Sequence, residues 1–266
     1  MGKFGSKIAL LSYFLRYVLS SRHRRGHGIH SPFVYDFVSK VLYDKSRYHE
    51  YGILSSIKKE LRASPKIIRV EDQGVSSKQF KKISRTLPEL LKISSIPEKY
   101  GRLLFRITRH YLPDTIIELG TSIGISAMYL AMGNPHANLL SVEGNPDLCM
   151  YAAEFFEKNG LQNIHVLCSD FDDALDSLPE LFSRPKMVFI DGNHQYESTI
   201  RYFQYFIQRM NMGIIIIDDI YYSRGMQKAW KEIVTSSKES VTLDIFRMGI
   251  IIIRESITPG YYIVRF

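Results

Sequence analysis

Acidic and glycine residues recur in this sequence at the ends of short apolar runs. Ile116-Ile-Glu118-Leu-Gly120-Thr-Ser122-Ile-Gly124-Ile-Ser126 is the first such place. Gly120 and Gly124 allow the backbone to approach a ligand closely, and the helix that follows offers free N–H groups. The spacing is G-x-x-x-G with an acid just before it, not the G-x-G-x-x-G of a dinucleotide site. Glu143 ends the next apolar run, where a carboxylate can accept hydrogen bonds from both hydroxyls of a ribose. Asp170 follows Cys168-Ser169 at a third run, where the acid or its neighbouring amides can meet an adenine edge. Two further runs end in Asp191, followed by His194, and in the pair Asp218-Asp219. Three carboxylates of this kind supply the hard oxygen ligands that suit Mg²⁺. A histidine beside them is a natural general base near neutral pH.

These residues need elements that bring strand ends together. The runs Thr115–Leu119, Leu139–Glu143, Ile164–Cys168, Met187–Asp191 and Ile214–Asp218 read as strands. Helix-length segments near 124–132, 147–159, 172–182 and 196–210 separate them. Near-continuous apolar strands joined by crossover helices form a parallel sheet buried on both faces. In such a sheet, ligands bind beyond the carboxyl ends of the strands. Val241–Phe246 and Gly249–Arg254 are joined only by Arg247-Met248, too short for a crossover, so they form an antiparallel hairpin. Tyr261–Phe266 is a candidate further edge strand. The expected fold is α/β and Rossmann-like, a mostly parallel seven-stranded sheet ending in that hairpin.

The residues before Pro113 read differently. They are irregular and helix-rich, with Ser31-Pro32 opening a helix through Val41 and a further basic helix over Tyr100–Tyr111. Asp72-Gln-Gly-Val-Ser-Ser77 reads as a glycine turn. Residues 1–110 carry 23 Lys and Arg against 8 Asp and Glu, whereas residues 111–266 carry 12 against 19. The overall charge of +8 therefore belongs to a basic helical cap region, 1–110, in front of an acidic ligand-binding domain, 111–266. With the basic residues spread rather than interleaved with aromatics, no nucleic-acid partner is expected. Apolar content of 45% excludes disorder, and two cysteines, Cys149 and Cys168, cannot make a disulfide framework. Reduced cysteines and a cytoplasmic location are expected, with Cys168 a small buried residue. The apolar run Ile8–Leu19 is too short to cross a bilayer of about 30 Å. It reads as an amphipathic helix docked on the body, or as a peripheral membrane or homodimer contact.

Over roughly residues 100–266 the sequence resembles the class I S-adenosylmethionine-dependent methyltransferases. Glu118-Leu-Gly-Thr-Ser-Ile-Gly-Ile-Ser126 is similar to that family's first motif in its catechol and caffeoyl-coenzyme-A O-methyltransferase form, and sugar O-methyltransferases are close as well. The resemblance implies that Glu118, Gly120, Ser122, Gly124, Ser126, Glu143 and Asp170 bind S-adenosylmethionine. It implies that Asp191, Asp218 and Asp219 hold Mg²⁺ and orient a small hydroxylated acceptor. Asp219 stands where the metal-dependent enzymes carry Asn, and His194 where they carry a proton-accepting Lys. His194 and Asp191 are then the catalytic residues. The motifs of nucleic-acid N-methyltransferases are absent after the fourth strand.

Plainer readings stand beside these. Asp218-Asp219 could be a helix cap and its neighbour, and His194 could orient Asp191 rather than act as a base. Tyr221, Tyr222 and Trp230 could wall an acceptor pocket, or Trp230 could pack on the sheet. His27 and His30 read as parts of a packing and capping segment. A non-catalytic Rossmann-like protein that meets a membrane or anionic partner through its basic N-terminal region is the alternative function.

Overall fold

The computed structural model describes residues 3–21, 29, 31–72 and 81–266. His27, His30 and most of the expected turn at 72–77 lie outside the described residues. In chain order the first elements are α1 (Lys3–Ser20), α2 (Pro32–Phe37), α3 (His49–Ala63), β1 (Ile67–Asp72), β2 (Lys81–Thr86), α4 (Leu87–Ile93) and α5 (Glu98–Tyr111). Then follow β3 (Thr115–Leu119), α6 (Ile125–Gly133), β4 (Asn138–Glu143), α7 (Pro146–Lys158), β5 (Ile164–Cys168) and α8 (Phe171–Asp176). The last are β6 (Met187–Ile190), α9 (Tyr196–Ile207), β7 (Gly213–Ile217), α10 (Arg224–Ser236), β8 (Val241–Asp244), β9 (Gly249–Ile253) and β10 (Gly260–Ile263). They divide into two compact units, residues 45–182 and residues 1–44 with 183–266.

In the 45–182 unit, β3, β4 and β5 pair in that order, all parallel. Every residue of β3 is buried, which is why its sequence is Thr-Ile-Ile-Glu-Leu with no alternation. Helix α6 is apolar almost all round and correspondingly buried from Ile125 to Ala131. Helix α5 is buried continuously from Leu103 to Thr108, Arg106 included, and its exposed residues, such as Lys99 and Arg109, lie toward its ends. Each fully buried apolar side chain of this size contributes about 1.5–3 kcal/mol relative to exposure. The expectation of irregular, helix-rich structure before Pro113 misses one feature: β1 and β2 form an antiparallel pair, Ile67 opposite Thr86 through Asp72 opposite Lys81. Thr86 then opens α4 with a full capping box, its hydroxyl on the Glu89 N–H and the Glu89 carboxylate on the Thr86 N–H.

In the other unit the strand order is β10-β8-β9-β7-β6. Strands β6 and β7 are parallel, β7 and β8 each run antiparallel to β9, and β10 runs parallel to β8. This unit thus holds five strands, including the further edge strand, at Gly260–Ile263. The hairpin β8–β9 forms as its two-residue link requires. Its packing depends on Gly249, because a Cβ there would collide with the ring of Trp230 from α10. Trp230 is buried, so it packs on the sheet and does not line an acceptor pocket.

Helix α1 docks on this same unit. Tyr17 donates its hydroxyl to the Val264 carbonyl at 2.5 Å and accepts the Phe266 N–H at 3.1 Å. Phe14 and Tyr17 both meet the Phe246 ring, with centroids 5.1 and 5.3 Å apart. Leu11, Leu15 and Leu19 lie exposed at four-residue spacing. No helix among the described residues is long and apolar enough to cross a membrane.

Candidate active site

In the 45–182 unit the chemistry lies at the carboxyl ends of β3, β4 and β5. After β3 the chain turns sharply through three positive φ values: Gly120 at 112°, Ser122 at 49° and Gly124 at 83°. Gly124 is required twice over, since its φ is left-handed and a Cβ would enter the Phe156 ring. The turn is pinned by Gly120 and Thr121 N–H donating to the Val142 carbonyl at 3.0 and 3.2 Å. Gly124 is the N-cap of α6, which therefore opens directly beneath the loop.

Glu143, at the end of β4, is the residue this loop is built around. One carboxylate oxygen accepts the Ser122 N–H at 2.8 Å and the other accepts the Asn145 N–H at 2.9 Å. Burial pushes its pKa up, against the pull of the Asn145, Ser122 and Gly144 amides. A carboxylate has about four acceptor positions, so these amides leave room for a ligand's hydroxyl. Asp170 follows β5 and caps α8 through its backbone. Its Oδ1 faces Gly144, where an added Cβ would lie 3.2 Å away. Asp170 therefore stands beside Gly144, the residue next to Glu143.

Glu118 lies deepest among the expected cofactor-binding residues. Its side chain is fully buried inside the unit, with Oε2 accepting the Ser141 hydroxyl at 2.5 Å. Ser141 in turn shares a 2.6 Å hydrogen bond with Thr121 of the loop. Burial pushes the Glu118 carboxyl up to about 7, opposed by the nearby Ser126 and Ser141 hydroxyls. Oε1 has no hydrogen-bond partner among the described residues. A ligand with a ribose diol fits this set: open carboxylate positions on Glu143 and a glycine turn that leaves the backbone accessible.

The two cysteines correct another expectation. Cys149 of α7 and Cys168 of β5 are joined by a disulfide spanning 19 residues, and no described cysteine is free. Cys149 Sγ lies 3.2 Å from the Glu143 carbonyl oxygen. The spacing of two isolated cysteines carries no sign of such a pair; only the parallel pairing of β4 with β5, Glu143 opposite Cys168, brings them together.

The remaining predicted residues lie in the other unit. Asp191 follows β6, and His194 Nε2 stands 3.7 Å from its Oδ1. The His194 ring also faces Tyr222 at 5.7 Å. Asp218 follows β7 and is completely buried; Asp219 beside it adopts φ 54°. Facing them is Arg247, from the link between β8 and β9. Its Nε donates to Asp218 Oδ1 and Oδ2 at 3.0 and 3.1 Å, and its Nη2 donates to Oδ2 at 2.6 Å. Nη2 also stands 3.4 Å from Asp219 Oδ1. Burial pushes Asp218 upward while Arg247 pulls it down; burial likewise works against the Arg247 charge, but Asp218 overrides it and holds the guanidinium's pKa high. Neither Asp218 nor Asp219 caps α10, which has its own cap in Ser223, whose Oγ accepts the Met226 N–H at 3.1 Å.

A divalent cation does not fit this arrangement. Both oxygens of Asp218 are occupied by a guanidinium, and no group of three His, Cys, Asp or Glu among the described residues could hold a metal. Arg247 escaped the sequence reading because it appeared only as a hairpin link.

A second missed residue, Asp244, sets the position of that link. Its buried carboxylate accepts Tyr221, Tyr261 and Trp230 at 2.7, 3.1 and 3.2 Å and the Phe246 N–H at 2.9 Å. Phe246, at φ 70°, then aims Arg247 back toward β7, where the Ile220 N–H donates to the Arg247 carbonyl at 3.1 Å.

Comparison with known proteins agrees with this geometry. Residues 117–220 match the family model described as a methyltransferase domain. Over that segment the chain is similar to methyltransferase domains. Catechol O-methyltransferase from Bos taurus is 32% identical over 100 residues, which are 36% of this chain and 37% of that protein. Release factor glutamine methyltransferase from Escherichia coli (strain K12) is 28% identical over 92 residues, 34% of this chain and 33% of that one. The chain thus spans little more than a third of the curated relatives it matches. Among solved structures, an O-methyltransferase from Bacillus cereus in complex with SAH superimposes with a TM-score of 0.54 at 15% identity, covering 83% of this chain and 97% of that one. A putative caffeoyl-CoA O-methyltransferase from Staphylococcus aureus gives 0.55 at 17%, covering 62% and 88%. At these identities the structural likeness establishes the fold.

Proposed function

We propose that this chain is an S-adenosylmethionine-dependent O-methyltransferase acting on a small hydroxylated acceptor. The observation that carries the reading is Glu143, fixed by the Ser122 and Asn145 amides beside the Gly120–Gly124 turn. The O-methyl chemistry is supported by the likeness to catechol O-methyltransferase over the matched segment. When bound, S-adenosylmethionine supplies an electrophilic methyl group on a sulfonium sulfur. Glu143 would hold the ribose, Asp170 and its neighbours the adenine side, and the Gly120–Gly124 backbone the amino-acid portion. Glu118 and Ser126 would act from beneath the loop, through the Ser141–Thr121 hydrogen bonds.

His194 would accept the acceptor's hydroxyl proton, leaving the oxygen to attack the methyl carbon as the C–S bond breaks. The imidazolium so formed is stabilised by Asp191 at 3.7 Å. Burial of much of both side chains strengthens that pairing. His194→Ala is expected to lower kcat by about 10²–10⁴-fold with KM for the cofactor little changed.

Calorimetric titration with S-adenosylmethionine and S-adenosylhomocysteine tests the cofactor site. Binding that Glu143→Ala abolishes is the expected result, and a wild-type protein that binds neither compound sinks the reading. The exposed Leu11, Leu15 and Leu19 stripe of α1 is proposed separately as a peripheral membrane or homodimer contact, checked by liposome flotation and light scattering. A purely non-catalytic role is less well supported, because the domain match covers the segment that carries the cofactor loop.

A further inference from the structure

We propose that Arg247 is the resident cation of the Asp218–Asp219 cluster, taking the place that a divalent metal would fill. The argument is one of lone pairs and charge. Mg²⁺ binds one or two carboxylates at about 2.0–2.1 Å in near-octahedral geometry and keeps several waters. Asp218 is poorly placed to take such an ion: Nε reaches both of its oxygens, Nη2 donates to Oδ2 at 2.6 Å, and the guanidinium charge so held repels a second cation. Asp218 is also wholly buried, so it needs a permanent counter-charge to remain ionised. A guanidinium provides that charge at every accessible pH, and its planar fork matches a carboxylate in a way an ammonium does not.

The placement is built from several directions. The Asp244 hub holds the turn, the Ile220 N–H donates to the Arg247 carbonyl, and Nη2 extends toward Asp219 at 3.4 Å. Arg247 is therefore a positioning residue: it fixes Asp218 and Asp219 and offsets one of their two charges without exchange with solution ions. A part of its side chain, 27%, stays accessible, so the charge is presented at the surface of the cluster rather than sealed within it. The consequence for acceptor choice is that the site does not require two vicinal oxygens to chelate an ion. A mono-hydroxylated acceptor satisfies it.

The inference deepens the methyltransferase reading of this cluster, yet its readout is independent of methyl transfer. Mn²⁺ binding is followed by electron paramagnetic resonance on wild type, Asp218→Asn, Arg247→Ala and the neutral, polar Arg247→Gln, with circular dichroism reporting folding. Wild type is expected to show no Mn²⁺ binding that Asp218→Asn removes. A folded Arg247 variant should bind Mn²⁺ at least about tenfold more tightly, since the repelling charge is gone and two carboxylates are left without their cation. Asp218-dependent Mn²⁺ binding by the wild type overturns the inference, with no variant needed. Folded Arg247 variants that gain no Mn²⁺ overturn it too, because the acids would then not be a cation site. If the protein fails to bind S-adenosylmethionine while these metal results hold, it is the methyltransferase reading that falls.

Discussion

The cofactor-side loop at the ends of β3–β5 and the acid cluster at the ends of β6 and β7 use the same residue type in the same kind of place. They differ in what satisfies the carboxylate. Glu143 is held by two backbone amides, each a neutral dipole, which leave acceptor positions open and the group free to take a ligand's hydroxyls. Asp218 is held by a full positive charge that occupies both its oxygens. The first arrangement makes a binding site; the second makes a neutralised, rigid wall. A strand-end acid therefore predicts that something will be bound, but its partner decides whether the bound species comes from solution or from the chain.

The largest effect that can break this contrast is removal of the partner. Arg247→Ala leaves Asp218 buried and unpaired, so urea denaturation should show a loss of about 3–5 kcal/mol. Adding Asp218→Ala to that variant should recover part of the loss, because the orphaned charge is then gone. Glu143→Ala removes no counter-charge and should cost much less than Arg247→Ala. Equal losses for the two variants would erase the distinction between amide-held and guanidinium-held acids.

The distinction also explains what could be read from the sequence. The strands β3 to β7 were legible because burial on both faces writes near-continuous apolar runs, and their ends marked Glu143, Asp170, Asp191 and Asp218 directly. The hairpin was legible from the two-residue link. Its cargo was not, because an Arg in a tight link looks like any solvent-facing turn residue. Only the antiparallel register of β9 on β7, Gly249 opposite Ile217, shows that the link must double back over Asp218. Asp244 was hidden for a similar reason: its donors come from Tyr221, Trp230 and Tyr261, far apart in sequence. The β1–β2 pair was obscured by Arg69 and Lys82, charges that suit an exposed two-stranded ribbon as well as a helix. The disulfide depended on strand pairing in the same way.

That disulfide sharpens the comparison, because it supports one region only. It closes the chain from Cys149 to Cys168, a separation of 19 residues, with Cys149 Sγ beside the Glu143 carbonyl, and corresponds to about 3 kcal/mol of stabilisation through the unfolded state. Reduction, or Cys149→Ser, is expected to lower stability by that amount and to weaken S-adenosylhomocysteine binding. Thiol titration of the native protein should find no reactive thiol before reduction and two after it. The Asp218–Arg247 pair should be indifferent, so a reduced protein ought still to show no Asp218-dependent Mn²⁺ binding.

The finest test of the contrast is pH, through Glu118. This carboxyl is buried beside hydroxyls, without any positive partner, and keeps its proton up to about pH 7, whereas an ordinary glutamate releases it near 4.5. Between those values the folded state binds more protons than the unfolded state, so stability falls as pH rises through the window. Between pH 5 and pH 8 the contribution of this group should amount to about 2 kcal/mol. Glu118→Gln, which keeps the shape and cannot ionise, should flatten that part of the profile in urea melts taken at successive pH values. Asp218 is just as deeply buried, but a guanidinium lies against it, so Asp218→Asn should be destabilising across the whole range instead of relieving a cost at high pH. If Glu118→Gln left the profile unchanged, a neutral environment would not be what separates the cofactor loop from the guanidinium-bound cluster.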